Sequence, residues 1–199
     1  MQKANATPPK GGVPGAYAAS DMLFVITGGP GAGKTTLLDA AANMGIATVP
    51  ETGRAVTQLQ VEIGGRAVHW DDRATYAELM LDRDIQNHQK YAGRGATTLF
   101  DRGVPDLIGY ARLCELETTD HIFKAARLFR YNANVFAAPP WREIYINDAE
   151  RKQNWAEAVK TYEVIARAYE DLGYRLIELP RAPVADRLAF ICEVMTVER

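Results

Sequence analysis

Gly28-Gly29-Pro30-Gly31-Ala32-Gly33-Lys34-Thr35 stands between an apolar run, Leu23 to Ile26, and a helix-forming stretch, Thr36 to Met44. Glycines let a chain turn tightly and bring backbone N–H groups close to an anion, and a helix starting at the end of the loop adds the positive end of its dipole. The spacing G-x-x-x-x-G-K-T is sized for phosphate. Gly28, Gly29, Pro30, Gly31, Ala32, Gly33, Lys34, Thr35 and Thr36 are the expected cradle, with Lys34 on the terminal phosphates and Thr35 ligating Mg2+. An ordinary glycine turn before a surface lysine would require neither all eight positions nor both flanks. The expected ligand is a nucleoside triphosphate.

Outward from this loop the chain alternates strand and helix. Leu23 to Ile26, Ala47 to Val49, Ala96 to Phe100, Asn134 to Ala138 and Tyr174 to Leu179 have strand length and apolar content. Between them lie helical stretches at Arg54 to Ile63, Asp71 to Tyr91, Pro105 to Leu113, Thr119 or Asp120 towards Tyr131, Trp155 to Leu172, and Pro183 to Val194. Five strands separated by helices predict an α/β fold, a three-layer sandwich around a five-stranded parallel sheet. Right-handed crossovers then bring Gly28, Glu51, Asp101 and Pro139 to one rim, where a ligand belongs. Residues 1–20 carry Lys3, Lys10 and repeated Pro/Gly without an apolar block, and are expected to form a flexible leader. Residues 21–199 are expected to make a single domain, with no internal repeat.

The 199 residues comprise 47% hydrophobic and 24% charged types, with a formal net charge of -2. That balance excludes a polybasic membrane binder, and no stretch reads as a stable membrane insertion or a nucleic-acid reader module. Two cysteines, Cys114 and Cys192, are too few for a disulfide framework, which favours the cytoplasm. His69, His88 and His121 are isolated from one another and read as ordinary surface or core residues. Oligomeric state leaves no mark in the sequence.

Asp101 ends the third strand in TTLFDRG and suits Mg2+ orientation, with Arg102 facing an acceptor or the transferred phosphate. A solvated ion pair at a turn is the bland alternative. Glu51, after the second strand, fits either of two roles: taking a proton from an acceptor hydroxyl, with Arg54 binding the acceptor's negative group, or capping the next helix. Arg142 or Arg151, in the charged segment after the fourth strand, can close over the phosphates, and Trp141 or Tyr145 can stack on a ligand or anchor the segment. Asp71 and Arg73, in the stretch Arg66 to Arg73, are candidates for an acceptor pocket.

In the order TGGPGAGKTTL (27–37), VPETGR (49–54), WDDRATYAELMLDRD (70–84), LFDRGVPDLIGYARL (99–113), FAAPPWREIYINDAERKQ (136–153) and GYRLIELPRAPVADRLAFI (173–191), the chain resembles the small P-loop ATPase/kinase family filed among AAA-type domains, related to ribosylnicotinamide kinase and to nucleoside and nucleotide kinases. The resemblance covers Leu23 to Val194. It implies a kinase-like P-loop NTPase with sheet order 2-3-1-4-5, a lid-like segment near 141–153, and a base contact from Pro180 to Val184. Glu51 matches the acidic position after the second strand of nucleoside kinases, and Asp101-Arg102 resembles the Asp-Arg pair of thymidylate-type kinases. No helical lid domain or arginine finger of a ring motor follows.

These features lead to a kinase using ATP and Mg2+ on a small-molecule phosphate acceptor, a nucleoside or nucleotide-like hydroxyl metabolite. Either Glu51 or Asp101 would orient that hydroxyl, and Arg102 with Arg142 or Arg151 would stabilise the phosphoryl group. The competing class is an ATPase/GTPase switch or scaffold for a protein or phospholipid, although no N-K-x-D signature for guanine appears.

Overall fold

A computed structural model describes residues 21–117, 120–145 and 154–197. The expected leader (1–20), Thr119, Arg151 and most of the expected lid lie outside the described residues. The elements run β1 (Leu23–Gly28), α1 (Lys34–Asn43), β2 (Ala47–Val49), α2 (Thr52–Glu62), α3 (Arg73–Ala92), β3 (Thr98–Asp101), α4 (Val104–Leu113), α5 (Asp120–Leu128), β4 (Asn134–Ala138), a 3-10 turn (Arg142–Ile144), α6 (Trp155–Asp171), β5 (Arg175–Glu178) and α7 (Val184–Val197). The sheet order is β2-β3-β1-β4-β5 with every pair parallel, and the register sets Ile26 opposite Asp101 and Phe136.

Side chains alternate across a strand, so β1 feeds two cores. Leu23 and Val25 pack with Phe100, Val135 and residues of α2 to α6, such as Val56, Tyr76, Ile108, Ile122 and Tyr169. Phe24 and Ile26 pack with Leu99 and Phe136 against α1 (Leu37, Leu38, Ala41) and α7 (Leu188, Ile191, Met195). All six residues of β1 and all five of β4 are buried, as expected for inner strands covered on both faces. Edge strand β5 is partly exposed.

Several helix starts differ from the sequence expectation by one or two residues, α3 for instance beginning at Arg73 where Asp71 was expected, and two of the differences bear on the rim. α1 begins at Lys34, two residues early, because Gly33 adopts the left-handed conformation (φ 74°) needed to turn from loop to helix. α2 begins at Thr52, which puts Glu51 at the cap position; its carboxylate makes no capping bond there. Asp72 caps α3 by accepting from the Thr75 N–H at 3.0 Å. His88 is fully buried, with Nε2 2.7 Å from the Arg130 carbonyl, and His121 Nε2 lies 2.7 Å from Glu78. Cys114 and Cys192 are both free. Among the described residues, no helix is long and apolar enough to cross a membrane.

Candidate active site

At the carboxyl ends of β1, β2 and β3 a cleft of about 100 Å³ is lined by Thr35, Leu38, Asp39, Thr48, Pro50, Glu51, Arg54 and Asp101. It brings four of the sequence candidates together, Thr35, Glu51, Arg54 and Asp101, beside the glycine loop. Lys34 is buried, and its Nζ donates to the carbonyls of Gly28 at 3.2 Å and Gly29 at 2.9 Å. Burial, with Arg102 nearby, lowers the Lys34 amine to about 8, against the pull of Asp101, Glu51 and Asp106. The loop's carbonyls hold the lysine in place.

Asp101 ends β3 buried, and among the described residues its Oδ1 has no hydrogen-bond partner. Burial raises this carboxyl above its ordinary range even with Lys34 close by. An orphaned buried carboxylate oxygen in a cleft shared with the Thr35 hydroxyl fits a hydrated Mg2+, which typically takes one or two protein ligands and keeps several waters. Among the described residues there is no cluster of three or more acidic, His or Cys side chains to hold a metal by themselves.

Arg102 begins the turn after β3 in the left-handed region, φ 71°, with its N–H donating to the Ile26 carbonyl at 3.0 Å. This backbone is costly outside glycine and is held by three side-chain contacts. Nε donates to Glu51 Oε1 at 2.8 Å, and Nη1 donates to the Gly28 carbonyl and to Asp106 Oδ1, both at 3.0 Å. Burial alone would raise the Glu51 carboxyl, but Arg102, with Lys34 and Arg54, holds it at about 2. Glu51 is therefore a fixed anion over the neutral range.

The sequence reading missed Asp106, which organises this cluster. Its buried carboxylate accepts from Thr27 Oγ1 at 2.6 Å, Tyr169 OH at 2.5 Å, the Gly103 N–H at 3.0 Å and Arg102. Its position three residues after the helix cap was a visible sign of a local role, whereas its partners come from β1 and α6. Arg187 of α7 was also missed. It is 2% exposed and donates through Nη1 and Nη2 to the Ala32 carbonyl at 3.1 and 3.2 Å. Its spacing in PVADRLAFI put it on the apolar stripe with Val184 and Ile191, an odd place for a cation.

Other candidates stand apart from the cleft lining. Asp71 pairs with Arg66 at 2.8 and 3.0 Å at the exposed approach to α3, and Arg73 Nε donates to the His69 carbonyl at 2.9 Å. Arg142 is exposed, its guanidinium 5.4 Å from the centre of the Trp155 ring. From the same turn it is Tyr145 that meets the loop, for a Cβ on Gly31 would lie 2.6 Å from its ring. Arg151 lies outside the described residues.

A parallel sheet ordered β2-β3-β1-β4-β5, with a G-x-x-x-x-G-K-T loop between β1 and the helix that follows it, defines a P-loop nucleotide-binding protein of the kinase type. Within that class the chain belongs to the AAA domain family, whose model matches residues 23–187. Its fold is similar to that of the NadR protein solved in complex with NR (TM-score 0.64, 16% identity, covering 90% of this chain and 52% of that one). It is also similar to thymidylate kinase from Ehrlichia chaffeensis (TM-score 0.61, 13% identity, 87% and 98%) and to deoxyadenosine kinase from M. mycoides with products dCMP and dCDP (TM-score 0.59, 15% identity, 88% and 100%). The chain thus spans about half the length of the NadR protein and nearly all of the other two. None of the curated proteins matches it.

Proposed function

We propose that the protein is a Mg2+-dependent phosphotransferase that moves the terminal phosphoryl group of ATP to a hydroxyl of a small metabolite, a nucleoside or nucleotide-like acceptor. The observation that carries the reading is the shared cleft of Thr35, Asp101, Glu51 and Arg54 beside the phosphate loop. A carboxylate clamped by Arg102 and an exposed guanidinium in the same cleft supply one group to orient an acceptor hydroxyl and another to hold an acceptor's negative group. Lys34 neutralises the terminal phosphates, exchanging its two loop carbonyls for phosphate oxygens. Thr35 and Asp101 hold Mg2+, which when bound neutralises charge between the phosphates.

Glu51 accepts a hydrogen bond from the acceptor hydroxyl and aims its lone pair. Phosphoryl transfer proceeds through a loose transition state, so the hydroxyl proton leaves late and a weakly basic carboxylate suffices to orient it. Arg102 fixes Glu51 and tethers it to Gly28 at the start of the loop, which couples acceptor position to phosphate position. Arg54, exposed at the cleft mouth, suits an acceptor with a negative group.

The test incubates the protein with Mg·ATP and a panel of nucleosides, nucleotides and sugars and reads products by mass spectrometry. A phosphorylated acceptor is expected. Free phosphate as the sole product across the panel, in protein shown to bind ATP, would overturn the reading for these acceptor classes.

A further inference from the structure

Arg187 carries a charge that no carboxylate among the described residues matches. Arg102 shares its charge with two carboxylates, Glu51 and Asp106. Arg187 is 2% exposed, yet among the described residues its hydrogen bonds run only to the Ala32 carbonyl, and its buried Nε has no partner there. Among the described residues no carboxylate forms an ion pair with it, and its neighbour Asp186 is exposed. A buried cation facing one neutral acceptor is costly, and a sequence retains such a cost readily where an anion arrives to offset it.

The place of the guanidinium says which anion. It grips the carbonyl of the Ala32–Gly33 peptide, inside the phosphate loop, and a Cβ on Gly33 would lie 3.0 Å from Nη1. That peptide is trans, so the Gly33 N–H points opposite to the carbonyl, away from Arg187. Holding the carbonyl fixes the direction of the N–H and polarises the peptide, which strengthens it as a donor. Glycine at 33 supplies both the left-handed turn and the space for the guanidinium. Helix α7, at the far end of the sequence, thereby sets the donor geometry of a loop near its start.

We infer that Arg187 is a positioning residue of the phosphate loop, whose unmatched charge is neutralised through the Ala32–Gly33 peptide by the phosphates of the bound nucleotide. This rests on the triphosphate reading of the loop and adds a cation from α7 to it. Affinity then depends on Arg187 in proportion to the phosphate charge of the ligand.

Calorimetric titration of full-length wild type, Arg187→Met and Arg187→Lys with Mg·ATP, ADP and adenosine, beside melting curves with and without Mg·ATP, tests the inference. Loss of a charge-assisted contact predicts roughly 10- to 100-fold weaker ATP binding in Arg187→Met. The loss should be smaller for ADP and absent for adenosine, with partial recovery in Arg187→Lys, whatever the change in melting temperature without nucleotide. Equal ATP affinity in wild type and Arg187→Met would overturn the inference alone. So would an unfolded or less stable Arg187→Met with an undiminished ATP response, or an equal loss for adenosine. Wild type that binds no ATP would overturn the nucleotide reading, and this inference with it.

Discussion

Glu51 and Asp84 are neighbouring carboxyls with opposite electrostatics, and each makes a separate prediction. Glu51→Gln keeps size and hydrogen-bonding capacity but removes the charge that, in the proposed reaction, orients an acceptor hydroxyl. Transfer should fall roughly 10²- to 10⁴-fold while the ATP Kd changes little; unchanged turnover per folded molecule would make Glu51 structural. Asp84, on α3, accepts from the Thr52 hydroxyl and is pushed up to about 7, first by burial and then by Asp106 and Glu51. A carboxyl raised in the fold is easier to bury neutral. Its contribution is full below about pH 4 and is lost as pH rises towards 7, at no more than about 1.4 kcal/mol per pH unit. Asp84→Asn should flatten wild-type stability between pH 5 and 7 and be the more stable protein at pH 8; parallel denaturation profiles would contradict this. Residues such as Lys34 and Thr35 were legible in the sequence because their chemistry is set by neighbours within eight positions. Asp106 and Arg187 were not, because Asp106 meets Tyr169 across 63 positions and Arg187 meets Ala32 across 155.

Strands and helices were read well because each announces itself locally, by apolar run, period or breaker. Among the described residues the five strands, seven helices and sheet order agree with the expectation, and the boundary differences at α1 and α2 come from Gly33 and from Glu51 turning to Arg102. The crossing of helices was not readable. α4 packs on α6 at Gly109, where an added Cβ would lie 2.7 Å from Ile165 Cγ1 and 3.0 Å from its Cα. The second is backbone, so α6 itself would have to move. Gly109→Ala gains about 0.5–1 kcal/mol of helix propensity but incurs about 1–3 kcal/mol of overpacking, and the strain should win. α6 carries Tyr169, whose hydroxyl holds Asp106, so the variant should lose turnover as well as melting temperature. Loss of stability with unaltered turnover would show that the α6 contact does not tune the site.

Taken together, the rim of the sheet concentrates charges that the core must tolerate: Lys34, Arg102 and Arg187 against Glu51, Asp101 and Asp106, all partly or wholly buried. Functional rims of this kind commonly lower apo stability, which ligand binding then restores. Binding at 100 times Kd contributes about 2.7 kcal/mol, which for a chain of this size is a rise of roughly 5–10 °C in Tm. Mg·ATP should raise Tm by that order, and ATP with chelator by clearly less. In the proposed site, Asp101 is where the metal enters this balance. Its Oδ1 has no hydrogen-bond partner among the described residues, so Asp101→Asn removes a buried carboxylate without breaking a hydrogen bond at that oxygen. The variant's apo Tm should therefore equal or exceed that of wild type, while the difference between its Mg·ATP and chelated-ATP curves collapses. Paired melting curves for wild type and variant read both effects in one preparation. A variant that keeps the full metal-dependent rise would remove Asp101 from the metal site and leave Thr35 as its ligand, and a fall in apo Tm would mean that the orphaned oxygen supports the fold instead of waiting for a cation.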